Sequence, residues 1–292
     1  MALSSCKLKS WMATKGNYIL GQSEFEYERL TFQAKVVRPF TEKFFRFAGV
    51  NPGMRVLEIG SGMGDVAFLA GEIVGPGGRV LGVDQDAAGL EKARERSRQQ
   101  GCSSWVSFEA SALDEFDTAD QFDAIVGRYI LLYQQDPGAI IRRLLKFLKP
   151  GGIVVFHEMD FANTHSSDPP CRFWDEIYAL LSEAFRRAGH PPDYGRRIAK
   201  AFLEAGLPFP TILAESLAGG GRGSYLYRWI ANTLISVSPR LQELGLALPD
   251  GVTADETLAA RLEKEAIAGG SQILGPIQFG AWTRKPFSES GI

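Results

Sequence analysis

Val56-Leu57-Glu58-Ile59-Gly60-Ser61-Gly62-Met63-Gly64-Asp65 is the stretch that decides how this chain folds. Arg55 to Ile59 holds β-branched and apolar residues around one acid, without Gly or Pro, and reads as a short buried strand. Glycines at alternate positions, Gly60, Gly62 and Gly64, then end the strand, and Val66 to Ile73 reads as a helix. A strand, a glycine turn and a helix N-terminus make a place where backbone can approach a ligand closely. A second strand, Arg79-Val80-Leu81-Gly82-Val83-Asp84, ends in an acid about twenty residues beyond the turn, where a carboxylate can accept hydrogen bonds from ribose hydroxyls. Together these signals predict a nucleoside cofactor on a doubly wound sheet. A tight turn with no ligand is the plainer alternative, and Asp84 in register argues against it.

The spacing Gly60-x-Gly62-x-Gly64 departs from the G-x-G-x-x-G of dinucleotide sites. With Glu58 before it, the stretch resembles motif I of class I S-adenosylmethionine-dependent methyltransferases, E/D-x-G-x-G-x-G. The resemblance implies that Glu58, Gly60, Ser61 and Gly62 lie under the amino-acid and ribose portions of the cofactor. It also implies that Asp84 takes the ribose and that Gln85 sits beside the adenosine. Trp105 to Glu109 reads as the third strand, and Ser111, Ala112 and Leu113 after it occupy the adenine loop, with Ser111 where relatives often carry an acid. Phe122 to Arg128 reads as the fourth strand, and the Arg128 carbonyl is the expected acceptor for the cofactor's ammonium. Tyr129 to Tyr133 with Asp136-Pro137 resembles the family's "FD-x-V … L-x-H … DP" stretch, Tyr133 standing in a slot often held by His and so near the substrate. Leu148-Lys149-Pro150-Gly151-Gly152 is a recurrent family element whose physical role is to end a helix, here Ala139 to Leu148, and turn the chain into a fifth strand at Ile153.

The expected fold is α/β: a Rossmann-like, doubly wound, seven-stranded sheet with an N-terminal helical cap and a helical insertion before the last strand. The expected boundaries are 1–50 for the cap, 51–218 plus 273–286 for the core and 219–272 for the insertion. In the first segment, Pro39 is expected to divide two helices. Tyr18-x-Leu20-Gly21-x-Ser23, with Arg29-Leu30 and Gln33, is similar to the cap of a bacterial, UbiE-like subgroup of small-molecule methyltransferases. That similarity implies that Tyr18 and Gln33 contact the cofactor or close the substrate chamber. The alternative is a packed aromatic and a solvent-facing glutamine.

The fifth strand ends in His157-Glu158-Met159-Asp160, and ligands of open α/β sheets bind beyond the carboxyl ends of the strands. His157 and Glu158 point to opposite sides of such a strand. Either is a candidate proton acceptor beside the transferred methyl, with Tyr18; the alternatives are a packed histidine and a loop-orienting acid. Asp160 is a candidate substrate contact. Gly219 to Gly223 reads as a hinge-like run leading into an aromatic helix, Tyr225 to Leu244, and a further helix, Thr253 to Ala268. Tyr225, Trp229 and Asn232 are expected to line an apolar chamber, since small-molecule pockets have that composition. The insertion is either a lid or a homodimer contact.

Composition narrows the function further. The chain of 292 residues is 45% hydrophobic and 23% charged, with a net charge of −2. No basic excess is available to hold a nucleic-acid backbone. Three cysteines and three histidines, widely spaced, argue against a disulfide framework and a metal site, so a reducing cytoplasm is expected. Met1 to Ser10 lacks the apolar core of a signal peptide, and no run reaches the ~20 apolar residues of a membrane span. The expected activity is methyl transfer from S-adenosylmethionine to carbon, nitrogen or oxygen of a small aromatic or heterocyclic metabolite, an indole or other natural product among them. Two other readings stay open. One is a protein that binds S-adenosylmethionine without turnover, which should show a ruined site. The other is a nicotinamide-dependent oxidoreductase, against which the glycine spacing argues.

Overall fold

The computed structural model describes residues 19–20, 23–162 and 166–287. In chain order its elements begin with α1 (Glu24–Ala48), β1 (Arg55–Ile59), α2 (Asp65–Val74), β2 (Arg79–Asp84), α3 (Ala87–Gln99), β3 (Val106–Ala110) and β4 (Phe122–Arg128). They continue with α4 (Pro137–Leu144), β5 (Leu148–Asp160), β6 (Ser167–Asp168), α5 (Arg172–Arg187), α6 (Ile198–Glu204) and β7 (Thr211–Glu215). The last are β8 (Ala218–Gly219), α7 (Tyr225–Val237), α8 (Leu258–Gly269), β9 (Gln272–Leu274) and β10 (Ile277–Arg284). They fall into two compact units.

The sheet unit comprises Ala34–Asp160, Asp193–Glu215 and Ile277–Ile292. Its seven strands run in the order β3-β2-β1-β4-β5-β10-β7. β1 to β5 pair in parallel, and β10 is antiparallel to both β5 and β7. The expected Rossmann-like doubly wound sheet is therefore present. Its central strands read as nearly unbroken apolar runs because both faces are covered. On one face, Val56, Val80, Ala124, Val126, Ile153 and Val155 share a core with Phe44 and Phe45 of α1, Leu69 and Ile73 of α2, and Leu90 of α3. On the other, Phe156 meets Phe202 of α6 edge-on, and α4 packs against α6. Order reverses between β1 and β4, which lie side by side while the chain visits β2 and β3 between them. That reversal fixes where a ligand binds in an open parallel sheet.

The helical unit comprises Met1–Gln33, Phe161–Pro192 and Ser216–Pro276. It holds a second, three-stranded antiparallel sheet in the order β6-β9-β8. No helix among the described residues is long and apolar enough to cross a membrane.

Several expectations need correction. α1 runs unbroken through Pro39. A proline inside a helix costs about 3 kcal/mol; burial of Val37, Phe44 and Phe45, all fully inaccessible, opposes that cost. The boundaries also differ from the expected ones, because residues 34–48 of the supposed cap belong to the sheet unit and 161–192 to the helical one. The turn at Lys149 to Gly152 falls inside the bounds of β5 rather than ahead of them, with Gly151 at φ 73°. The register with β4 slips there, and Gly151 and Gly152 bond instead to Lys285 at the end of β10. Gly219 belongs to β8, and a Cβ on Gly220 would stand 2.2 Å from the Ser271 carbonyl oxygen, so the first two residues of this run are packed, while Gly221 to Gly223 are exposed.

Candidate active site

The site assembles from the carboxyl ends of β1, β2 and β4. The glycine turn after β1 has φ of 73° at Gly60, 49° at Gly62 and 84° at Gly64, conformations that L side chains rarely adopt. A Cβ at Gly60 would stand 2.7 Å from Ile130 Cδ1, and one at Gly64 2.8 Å from Phe108 Cζ. Nothing lies within 4 Å of a Cβ at Gly62, so the turn is packed at its two ends and open in the middle. Asp84 ties the turn to β2: its Oδ2 accepts from the Gly62 N–H at 2.8 Å and its Oδ1 from the Asp86 N–H at 2.8 Å. Arg96 of α3 braces the far side, donating to the Met63 carbonyl at 2.6 Å and pairing with Asp65 at 2.7 Å. Arg96 was not singled out from the sequence, where it is one of several charges on a helix that looks uniformly wet.

Two acids, Glu58 and Asp84, flank the turn. Glu58 is wholly buried, and its Oε2 accepts from Ser61 Oγ. Among the described residues its Oε1 has no partner. Burial pushes the Glu58 carboxyl well above its usual range; the nearby Asp84 and Asp65 push it further, while Arg128 opposes them. Burial likewise raises Asp84, against the hydrogen bonds it accepts from backbone. An orphaned buried oxygen beside an open glycine and a second acid suits a ligand that carries an ammonium and ribose hydroxyls.

The tips of β4 and β5 hold both candidate proton acceptors, His157 and Glu158. His157 is fully buried. Its Nδ1 lies 2.9 Å from Thr41 Oγ1 and its Nε2 2.8 Å from Gln278 Oε1. Since an amide oxygen only accepts, Nε2 carries the proton and Nδ1 accepts from Thr41. Burial, and secondarily Arg128, lowers the His157 pKa to about 3. A neutral imidazole with both nitrogens engaged is not placed to take a proton from a substrate, so His157 is the packed histidine of the two readings. Tyr129, at φ 54°, donates its hydroxyl to the same Gln278 oxygen and its N–H to the His157 carbonyl at 2.9 Å. Glu158 lies on the opposite face, where its Oε1 accepts from Ile130 N at 2.9 Å and Leu131 N at 2.7 Å. Gln278 and Thr41, which fix this arrangement, are more than a hundred residues from His157 and left no local signal in the sequence.

The other expected residues are dispersed. Ser111 N–H donates to the Asp84 carbonyl at 2.9 Å, and its hydroxyl donates to the Ala112 carbonyl at 3.0 Å. Ala112 and Leu113 are half-buried beside it, and Gln85 is exposed. Asp160 is fully buried and paired with Arg196, so its carboxylate is engaged within the sheet unit. Tyr133 is half-buried in the short turn after β4. In the helical unit, Gln33 Oε1 accepts from Arg29 Nη1 at 2.8 Å and from Trp229 Nε1 at 3.0 Å. Arg29 in turn pairs with the buried Glu26 at 2.7 Å. Gln33 and Trp229 thus bind each other. Tyr225 is 67% exposed and Asn232 half-buried. Tyr18 lies outside the described residues.

This geometry is that of a nucleoside-binding methyltransferase fold, and comparison with known proteins agrees. Residues 50–186 match the model of a methyltransferase domain. The sheet order and the glycine turn are those of the class I methyltransferase fold. The chain is 35% identical over 115 residues to 2-phytyl-1,4-naphtoquinone methyltransferase of Synechococcus elongatus, covering 39% of this chain and 49% of that protein. It is 30% identical over 139 residues to the ubiquinone/menaquinone biosynthesis C-methyltransferase UbiE of Pseudomonas putida, covering 47% and 52%. The chain therefore spans about half the length of these relatives. Among solved structures, the [4+2]-cyclase SpnF aligns with a TM-score of 0.52 at 20% identity, over 86% of this chain and 81% of that one. Coclaurine N-methyltransferase bound to N-methylheliamine and S-adenosylhomocysteine aligns at 0.51 and 13% identity, over 85% and 72%. At such identities these two share the fold.

Proposed function

We propose that the whole chain is an S-adenosylmethionine-dependent methyltransferase acting on a small aromatic or heterocyclic metabolite. The observation that carries the reading is the turn at Gly60–Gly64, open at Gly62, beside a buried Glu58 whose Oε1 has no partner among the described residues. Glu58 and the Arg128 carbonyl would hold the ammonium of the cofactor, Gly60, Ser61 and Gly62 would underlie it, and Asp84 would take the ribose. Gln85, Ser111, Ala112 and Leu113 would border the adenine. When bound, S-adenosylmethionine supplies a methyl group on a cationic sulfonium.

The chain's own part is to align and to dehydrate. Alignment in a closed site contributes much of the rate of a displacement. A dry surrounding does not solvate a cation whose charge is lost as the methyl moves. Tyr18, Tyr133, Tyr225 and Asn232 remain proposed contacts of the acceptor. Asp160, Trp229 and Gln33 are weaker candidates, because their polar groups bind protein partners. A quinol or phenol acceptor is favoured by the names of the two relatives, one of which acts on a naphthoquinone and one in quinone biosynthesis. Calorimetry with S-adenosylhomocysteine, followed by methyl transfer from labelled S-adenosylmethionine to a panel of quinols, phenols and indoles, tests the proposal. We expect binding, and product with at least one class. Absence of binding rejects the assignment, and binding without turnover on any of them favours a non-catalytic role.

A further inference from the structure

Glu158 is built into the tip of β5 in a way that holding a cofactor does not by itself require. Its side chain is wholly buried on the face opposite His157. One oxygen serves two successive backbone donors, Ile130 N at 2.9 Å and Leu131 N at 2.7 Å, and the Leu132 N–H also bears on the carboxyl. These donors open the short 3-10 turn Leu131–Tyr133, directly after Tyr129 with its φ of 54°. A non-glycine residue in that conformation persists only where its surroundings over-determine it. Three anchors do so here: the Tyr129 hydroxyl on Gln278, the Tyr129 N–H on the His157 carbonyl, and Glu158 on the next two amides. Ile130 then closes the connection to the cofactor turn, because its side chain covers the face of Gly60 where a Cβ would otherwise stand.

We propose that Glu158 is a positioning residue, which pins the backbone of residues 130–132 and so keeps Ile130 seated on Gly60 and the end of β4 in one conformation. Its effect on cofactor affinity rests on the methyltransferase assignment; its effect on the segment itself does not. The role needs an acceptor oxygen at that reach, not a base. An amide oxygen has the same two lone pairs as a carboxyl oxygen, whereas aspartate is shorter by one methylene. Tyr194, in the turn Tyr194–Arg197, is the titratable group that faces Glu158 from the neighbouring element.

The test is amide hydrogen exchange on the full chain without ligand, read by mass spectrometry, for the wild type, Glu158→Gln, Glu158→Asp and Glu158→Ala. S-adenosylhomocysteine affinity is measured in parallel by calorimetry. Glu158→Gln should keep wild-type protection over 129–133 and affinity within about twofold. Glu158→Asp and Glu158→Ala should exchange there at least about tenfold faster, with the other strands unchanged, and bind about tenfold more weakly. Where Glu158→Ala does not fold, the Gln and Asp pair still separates reach from charge. Wild-type protection in Glu158→Asp, or exchange in Glu158→Gln as fast as in Glu158→Asp, overturns the proposal. So does a Glu158→Gln variant that binds normally, keeps its protection and has lost turnover, since that outcome makes the residue a proton carrier. A wild type that does not bind S-adenosylhomocysteine rejects the assignment above while leaving the exchange result standing.

Discussion

At the residue scale the site is a contest between burial and charge. Glu58 is taken fully out of water with one oxygen unserved among the described residues, and Asp84 keeps its carboxylate in place by accepting two backbone N–H groups. On the proposed assignment, removing the Asp84 carboxylate has two effects, loss of an acceptor for the ligand's ribose and release of the Gly62 amide. Asp84→Ala is expected to weaken S-adenosylhomocysteine binding by about 1.5–3 kcal/mol, the scale of a hydrogen bond to a charged group. Calorimetry checks this, with circular dichroism to show that the variant folds; unchanged affinity would mean that the ribose does not lie there. Asp84 and the three glycines were legible in the sequence because strand, turn and acid are local and in register. The environment of His157 was not, since Thr41 and Gln278 reach it from far along the chain. Alternation along β5 was enough to say that His157 and Glu158 face opposite ways, but not which was packed.

At the element scale β5 is the pivot, because its two faces carry opposite solutions to buried polarity. His157 is neutral and satisfied on one side; on the other, Glu158 has its pKa raised to about 8 by burial, against the pull of the Leu131, Ile130 and Leu132 amides. A carboxyl that binds its proton more tightly when folded than when unfolded favours the fold most below the unfolded value, near 4.5, and loses that contribution as pH rises through about 8. The slope across the window is about 1.4 kcal/mol per pH unit for one such group. Glu158→Gln removes the titration while keeping the acceptor. Its stability is expected to fall less than that of the wild type between pH 5.5 and 7.5, by up to about 2–3 kcal/mol in urea unfolding. Parallel pH dependence in the two proteins would show that Glu158 is ionised in the fold throughout. The same strand shows a limit of local motifs. Leu148 to Gly152 has the composition of a helix stop and turn, and the chain does turn at Gly151, φ 73°, but within the bounds of β5, where residues from the far end of the chain bond to Gly151 and Gly152.

At the scale of the whole molecule, the chain leaves and re-enters the sheet unit before completing it. β10, near the end, is inserted between β5 and β7 rather than added at an edge. It pairs along eight residues with β5, from Ile277 opposite Asp160 to Arg284 opposite Ile153, and five of its residues pair with β7. The same strand delivers Gln278 to His157 and Tyr129. The five parallel strands were legible because each carries its own apolar pattern, and the family resemblance implied the other two. The partition into units was not, because residues 34–48 and 161–192 are helical in pattern wherever they pack, and only contacts distant in sequence assign them. A chain stopped after Pro276 would leave the β5 ladder open, the His157 Nε2–H and Tyr129 hydroxyl without Gln278, and β7 detached from the sheet. Unpaired buried donors and an exposed apolar edge favour association over a defined monomer. That truncation is expected to abolish cooperative thermal unfolding and to elute as aggregate in gel filtration. A truncated protein that stays monodisperse, melts in one sharp transition and binds S-adenosylhomocysteine as the full chain does would show that β1 to β5 fold and hold the cofactor without their last partner.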